Sequence, residues 1–420
     1  MREHGRLAID GGTPAVRFPV PQWSDRTGRS MGREERRLVL EVLDSGRLGM
    51  VNGEKVKQLQ LAWAAAFGAP VAVATNSGTS ALHAALIFLC IGPGDEVLVP
   101  AATDMGTVIA VLLQNAVPVF VDVQPDTMNM DPQDLERKIT PRSRAVMPVH
   151  MFGFPADMDP IMAIAGKHGL AVVEDCAQAH ATLYKGRTCG TIGDAGCFSF
   201  QQTKHVTAGE GGMVIARADS LRGRRLQLCA DKGWPREQYR EHLFLAPNYH
   251  ISDLQAAVAL AQLAKLEPMI EARRRSALAL SSAIGGFPGV TLPPEVPWAR
   301  HTYFAYQFYV DPGHFTVGRD RIVEAIRAEG VDVLPSYLPK PLYEYDFLAN
   351  VNMYNETRCP IACPLYQGAM DYRSVVCPGM NRCCSTGIFM QWNEKITPPM
   401  ARAIAAAIAK VLDHYRIRGP

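Results

Sequence analysis

The sequence predicts an α/β protein, a large domain with a mostly parallel seven-stranded sheet between helices and a smaller C-terminal α+β domain. Three observations carry this. From residue 71 to residue 216, short runs near-continuous in Val, Ile and Ala alternate with helical segments, as in a sheet buried on both faces. Beyond about Leu221 the alternation gives way to helical spacing, then to a mixed pattern after about residue 270. The chain has 420 residues, 48% of them hydrophobic, enough for one large domain and an appendage. The expected division is an extended segment over 1–30, a large domain over 31–270 and a small domain over 271–420.

In chain order, residues 5–27 are rich in Gly and Pro and read as chain extended over the surface. Residues 33–44 have helical spacing and stop at Ser45-Gly46; residues 54–67 repeat the pattern and stop at Gly68. A strand over 71–74 leads through Asn76-Ser77-Gly78 into an apolar helix over 80–90. The loop Gly92-Pro93-Gly94-Asp95 precedes a strand over 96–99 and a helix over 107–114. Strands over 117–123, 145–149 and 171–174 alternate with helices over 131–139 and 159–168. Strands over 195–200 and 213–216 complete the seven. One long helix is expected over 250–276. In the last third, 303–310 alternates like a half-buried strand, 319–329 reads as a helix and 400–415 as an Ala-rich final helix. Residues 343–384 show no periodicity, and so long a stretch in a compact domain reads as a binding loop.

Charge and composition exclude several classes. The net charge is +2, and the densest basic run, Arg273-Arg274-Arg275, reads as a solvated helix face. No nucleic-acid surface is expected, because phosphate neutralisation needs a clustered cationic excess. No stretch approaches the ~20 apolar residues of a membrane span, and residues 1–6 lack the apolar core of a signal peptide, so the expected location is the cytoplasm. Five of the ten cysteines are Cys359, Cys363, Cys377, Cys383 and Cys384. Their spacing matches no standard metal site. Free thiols are the expectation, a local redox event or a metal the alternatives, and no metal ligand is assigned.

In a parallel α/β sheet, ligands bind beyond the carboxyl ends of the strands. After the first strand come Thr75-Asn76-Ser77-Gly78-Thr79. Free N–H groups at that helix start suit an anion, and a plain helix cap reads the same way. After the strand over 171–174 comes Asp175, a site carboxylate or an N-cap, with Gln178 and His180 behind it. After the strand over 195–200 come Lys204 and Gly209-Glu210-Gly211-Gly212. A lysine there is a solvated surface group, or it is partly desolvated, with a lowered pKa and a nucleophilic amine. An anion cradle, a carboxylate and an amine at one sheet edge are what pyridoxal 5′-phosphate requires. They supply donors for its phosphate, an anion for its ring nitrogen and an amine for its aldehyde.

The motifs around these residues resemble the DegT/StrS family of sugar and aminocyclitol aminotransferases, fold-type-I pyridoxal phosphate enzymes. The resemblance runs from Leu7-Ala8-Ile9-Asp10-Gly11-Gly12 to the last helix. It includes Asn76-Ser77-Gly78-Thr79-Ser80-Ala81-Leu82, Gly92-Pro93-Gly94-Asp95-Glu96-Val97 and His150-Met151-Phe152-Gly153. It continues through Glu174-Asp175-Cys176-Ala177-Gln178, Phe198-Ser199-Phe200 with Lys204 and the Gly-rich turn, and the stretch from Asn248-Tyr249-His250 to Ala257. The opening residues and Trp23 are most similar to members that act on cyclitols. The resemblance implies that Lys204 forms the Schiff base and shuttles protons, that Asp175 pairs with the ring nitrogen and that Gln178 sits near the ring hydroxyl. Ser77, Gly78 and Thr79, with the Ser199 hydroxyl, would hold the phosphate. Asn248 would reach the phosphate of a neighbouring subunit, so a homodimer with shared sites is implied. His205, His250 and Tyr337 are candidate substrate contacts.

Two positions depart from the family pattern. Asp104 stands where members usually place an aromatic ring that stacks on the cofactor, and His250 stands where they usually have Arg. Asp104 is expected against the cofactor ring or the first substrate atoms, where it would favour an already aminated substrate, or else it caps the following helix. The reaction implied is transfer of an amino group from glutamate or glutamine to a keto sugar or keto cyclitol, in secondary-metabolite synthesis of the aminoglycoside kind. One alternative is an epimerase or dehydratase acting on an amino sugar or aminocyclitol. Family dehydratases usually replace the lysine with His, so Lys204 argues against dehydration. Another is a non-catalytic regulator that binds the cofactor; the complete set Lys204, Asp175, Gln178 and Ser199 argues against it.

Overall fold

The computed structural model describes residues 6–217, 220–236, 241–354 and 357–418. Its strands are β1 (Val71–Thr75), β2 (Glu96–Pro100), β3 (Val117–Val121), β4 (Ser143–Val146), β5 (Ala171–Asp175), β6 (Leu183–Tyr184), β7 (Arg187–Thr188), β8 (Ala195–Ser199) and β9 (Gly212–Ala216). A seven-stranded sheet has the order β1-β9-β8-β5-β4-β2-β3. Only β9 runs against its neighbours β1 and β8; the others pair in parallel.

Successive strand residues point to opposite faces, and both faces are covered. Val97 and Val99 pack under the helices Gly78–Phe88 and Met105–Leu113. Leu98, Val119 and Val121 face the other side, with Leu59 and Trp63 of the helix Lys55–Phe67 and Ile161 of the helix Met158–His168. A sheet buried this way requires continuous apolar strands, which is why they were legible. Every parallel strand also ends at the same edge, where the helix starts gather.

The second unit holds β10 (Val290–Thr291), β11 (Ala299–Arg300), β12 (Ala305–Val310) and β13 (Gly387–Gln391). β10-β12-β13 form an antiparallel sheet, while β11 pairs with the β6–β7 hairpin of the large unit. Helices Leu266–Ile284, Arg319–Ala328 and Pro398–Tyr415 contribute Leu280, Ile326 and Ile408 to its core. The helix Leu266–Ile284 places Leu266 and Ile270 in the core of the large sheet and Ala277 and Leu280 in the second core. Among the described residues, no helix is long and apolar enough to cross a membrane.

Several expectations need correction. The single helix over 250–276 is two helices, Asp253–Leu263 and Leu266–Ile284. Pro268 lacks the N–H that would bond the Ala264 carbonyl, so the first helix cannot run on; Lys265 closes it with a bond to the Gln262 carbonyl at 3.0 Å. Arg273 is not solvated but fully buried, donating to the Trp392 carbonyl at 2.7 Å and pairing with Glu394 at 2.9 Å. The segment expected to lie extended over the surface does more where it is described, over residues 6–27: Leu7 and Val16 enter the second core. The described residues of the stretch 343–384 do not line the cavity described below. The stretch packs on the β2–β3 edge, with the Tyr372 hydroxyl on the Pro118 carbonyl at 2.9 Å and the Tyr366 hydroxyl on Glu96 at 2.9 Å. It also enters the helix Pro378–Thr386, which aperiodic spacing hid.

Candidate active site

The ends of β1, β2, β5 and β8 surround a cavity of about 360 Å³. Beyond β1, Ser77 caps the helix Gly78–Phe88, its hydroxyl oxygen accepting from the Ser80 N–H at 3.0 Å. The Ser80 hydroxyl donates to Asn76 at 2.6 Å. The Gly78 and Thr79 N–H groups stand in the first turn, where a helix has no carbonyl to offer them and its dipole favours an anion. Gly78 lies against Ser199 at the end of β8: a Cβ there would come within 2.7 Å of the Ser199 Cβ. Gly212 is needed for the same reason, because a Cβ on it would lie 2.3 Å from the Ser77 carbonyl oxygen. This accounts for the last glycine of the Gly-rich turn.

Asp175 closes β5 with 4% of its surface exposed. It accepts from the Thr107 hydroxyl at 2.8 Å and the Ala177 N–H at 3.0 Å. The Thr103 hydroxyl lies 2.6 Å from that of Thr107; since the Thr107 proton goes to the carboxylate, Thr103 donates to Thr107. Burial pushes the Asp175 pKa above the usual carboxylate value, against these two bonds and the charge of Lys204.

Lys204 follows β8 through a turn closed by its own N–H on the Gln201 carbonyl at 2.9 Å. Its ammonium sits 4.5 Å from the centroid of the Phe304 ring. Burial lowers its pKa; the carboxylates Asp104 and Asp175 oppose that shift and Arg29 adds to it. Arg29, itself buried, donates to the Lys204 carbonyl at 2.7 Å and to the Trp23 carbonyl at 2.8 Å. The N-terminal segment is thereby tied to the lysine. Trp23 and Phe304, with ring centroids 5.1 Å apart, form one wall of the cavity, and Tyr337 lines it too. The Gln178 amide nitrogen donates to the Tyr337 hydroxyl at 3.3 Å, while its oxygen accepts from the Phe152 N–H at 2.9 Å.

Of the residues singled out in the sequence, Ser77, Gly78, Thr79, Asp104, Asp175, Ser199, Lys204 and Tyr337 meet around the cavity. Asp104 both lines it and caps the helix Met105–Leu113, accepting from the Gly106 N–H at 2.9 Å. Gln178 stands one bond behind the wall. His205 does not reach the cavity, a correction to its expected substrate contact. The chain turns inward after Lys204, so its ring is fully buried, bonded to the Thr302 carbonyl at 3.1 Å. His250 and Asn248 also lie apart from this chain's cavity. His250 bonds Asp231 at 2.8 Å, and the exposed Asn248 accepts from the His250 N–H at 3.3 Å. Sequence reasoning missed Thr107, Arg29, Glu210 and Phe304. Only Thr107 and Glu210 had a signal, by their places in the helix after β2 and in the Gly-rich turn.

The cavity thus joins an anion cradle, a buried carboxylate that needs a proton-bearing partner, and a partly desolvated amine. That combination fits a ligand with a phosphate, a protonatable ring nitrogen and an aldehyde. Comparison with known proteins agrees. The spore coat polysaccharide biosynthesis protein SpsC of Bacillus subtilis is 37% identical over 361 residues, 81% of this chain and 92% of its own. GDP-perosamine synthase of Caulobacter vibrioides is 37% identical over 306 residues, 73% of this chain and 82% of its own. The aminotransferase structure from Psychrobacter cryohalolentis superposes with a TM-score of 0.82 at 29% identity, covering 92% of this chain and 98% of that one. Residues 29–376 match a single family description, and the chain belongs to that family, the pyridoxal phosphate-dependent DegT/DnrJ/EryC1/StrS aminotransferases.

Proposed function

We propose that this enzyme takes an amino group from glutamate or glutamine and places it on the ketone carbon of a keto sugar or keto cyclitol, in aminoglycoside-like secondary metabolism. The observation that carries the reading is the convergence of Lys204, Asp175 and the Gly78–Thr79 helix start on one cavity. A relative named as a perosamine synthase supports an aminated sugar or a ring of similar shape as product. Bound pyridoxal phosphate supplies an aldehyde to carry the amino group and a ring that draws charge from the reacting carbon.

The chain's own residues do the rest. The Gly78 and Thr79 N–H groups and the Ser199 hydroxyl would hold the phosphate. Asp175 would keep a proton on the ring nitrogen, and that positive charge would offset the cost of burying the carboxylate. Thr107 and Ala177 fix the carboxylate in place. Lys204 is the amine that would take up the cofactor's aldehyde, and its free amine would then move the proton at the reacting carbon. Burial lowers its pKa, which favours both roles. Gln178 holds Tyr337 at the wall. Asn248, exposed and away from its own cavity, reaches the phosphate site of a second copy in a homodimer. The test is to incubate the purified enzyme with pyridoxal phosphate, glutamate or glutamine, and a panel of keto cyclitols and keto sugars. Aminated product is then sought by mass. Absence of product from every acceptor, together with no conversion of the donor, refutes the reading.

A further inference from the structure

We propose that Asp104 determines acceptor specificity and selects an acceptor that already carries a cationic nitrogen, an amine or amidine, on the ring to be aminated. This rests on the amino-transfer reading above. The first ground is the geometry of the carboxylate. One Asp104 oxygen is used by the Gly106 N–H at 2.9 Å, and the other has no partner among the described residues. The residue is exposed and lines the cavity. The turn holds it in place: a Cβ on Gly106 would lie 2.6 Å from the Thr79 hydroxyl oxygen and 3.1 Å from the capping oxygen of Asp104. Cap and ligand contact therefore do not compete, because a carboxylate has about four acceptor sites and the cap takes one.

The second ground is the charge of the wall. The ionisable side chains that line the cavity among the described residues are Asp104, Asp175, Lys204, Glu210 and Tyr337. Asp175 and Lys204 are committed to the cofactor. The charged groups that this chain leaves for the acceptor are Asp104 and Glu210, both carboxylates and both exposed. The Asp104 charge is felt across the cavity, where it opposes the lowering of the Lys204 pKa and helps raise that of the Tyr337 hydroxyl. A neutral hydroxyl placed there exchanges one hydrogen bond to water for another. A cationic nitrogen gains a charge-assisted bond, and an anionic substituent is repelled.

The test uses Asp104→Asn in the holoenzyme, since Asn caps a helix as well as Asp does and only the charge is removed. Asp104→Ser, also a good cap, serves as the second variant. A keto aminocyclitol and the matching keto cyclitol without the amine are compared as acceptors. The wild type should prefer the aminated one, and the ratio of the two kcat/KM values should fall roughly 10- to 100-fold in either variant, mainly through KM. Calorimetric titration with an aminocyclitol that lacks the ketone, against the neutral cyclitol, should show the same loss of preference in binding. A wild-type preference for the neutral acceptor, or a ratio unchanged in both variants, overturns the proposal. If neither acceptor is aminated, the titration still decides the charge preference. If, in addition, the donor is not converted, the amino-transfer reading itself is what fails.

Discussion

Replacing Gly78 with alanine loads the proposed phosphate cradle where the helix start meets β8. The new Cβ would stand 2.7 Å from the Ser199 Cβ and 3.1 Å from its hydroxyl oxygen. Carbons in contact normally keep about 3.5–4.0 Å, so about 0.8 Å of overlap must be relieved. Ser199 cannot yield easily, being at the buried end of β8 and paired to Gly212 of β9. Overpacking of this kind costs about 1–3 kcal/mol. Alanine returns up to ~1 kcal/mol because it holds helical backbone better than glycine. With that return subtracted, the cofactor-free protein should lose about 0–2 kcal/mol, read as a lower Tm. Cofactor binding should suffer more. A displaced Ser199 hydroxyl gives up a charge-assisted bond worth about 1.5–3 kcal/mol, roughly a 10- to 100-fold rise in Kd. The assay is a fluorescence titration with pyridoxal phosphate, with inorganic phosphate as competitor. The double variant Gly78→Ala, Ser199→Gly removes the clash, so it should recover Tm but not affinity. Wild-type affinity in Gly78→Ala would refute the cradle.

Three further outcomes follow from the same geometry. Lys204→Ala should abolish amino transfer and leave no cofactor fixed to the protein by borohydride; a fixed adduct in the variant would point to another lysine. Asp175→Asn should keep the fold and lose most transfer activity. Because burial raises the folded-state pKa of Asp175, its charge opposes folding above that pKa, and the opposition fades as pH falls through it. The Asn amide gives up one of the two bonds the carboxylate accepts, a loss that does not change with pH, so the Tm of the cofactor-free variant relative to wild type should rise from acid to neutral pH. Near-normal turnover with a flat Tm difference would make Asp175 a mere cap. Asn248→Ala should weaken cofactor retention, and mixed with Lys204→Ala under subunit exchange it should regain some activity, since one site of the mixed dimer carries neither lesion. No recovery with exchange verified would exclude a shared site.

What the sequence displayed was what local chemistry controls. The seven strands were visible because a sheet covered on both faces needs unbroken apolar runs. Lys204, Asp175 and the Ser77–Thr79 turn were visible because they follow those runs directly. The reversed direction of β9 was not visible, because its residues Gly212–Ala216 would be as apolar in either sense. The helix Pro378–Thr386 was hidden in the cysteine-rich stretch, where no period shows, and β13 begins directly after it. Arg29 and Phe304 reach Lys204 across 175 and 100 residues of chain, and no pattern near either position marks that meeting. His205 shows the opposite error. It sits beside the lysine in sequence, and one residue of inward turn puts its ring in the core.

Glu174 and Asp175 show why adjacent carboxylates at a strand end could not be told apart by composition. As neighbours on β5 they point to opposite faces. Glu174 is fully buried, and each of its oxygens is filled. One accepts the Ile192 and Gly193 N–H groups, both at 2.7 Å; the other accepts the Gly190 N–H at 2.7 Å and the His150 ring at 3.0 Å. The other His150 nitrogen accepts from the Ala156 N–H at 3.0 Å, so its proton lies on the side of Glu174. Four donors on one carboxylate leave it no capacity for a ligand. Its work is to clamp the 190–193 loop against the sheet. Asp175 receives only two protein donors and turns its remaining capacity to the cavity. What separates a structural carboxylate from one available for chemistry here is the count of unfilled acceptor positions, and that count exists only once the chain has folded.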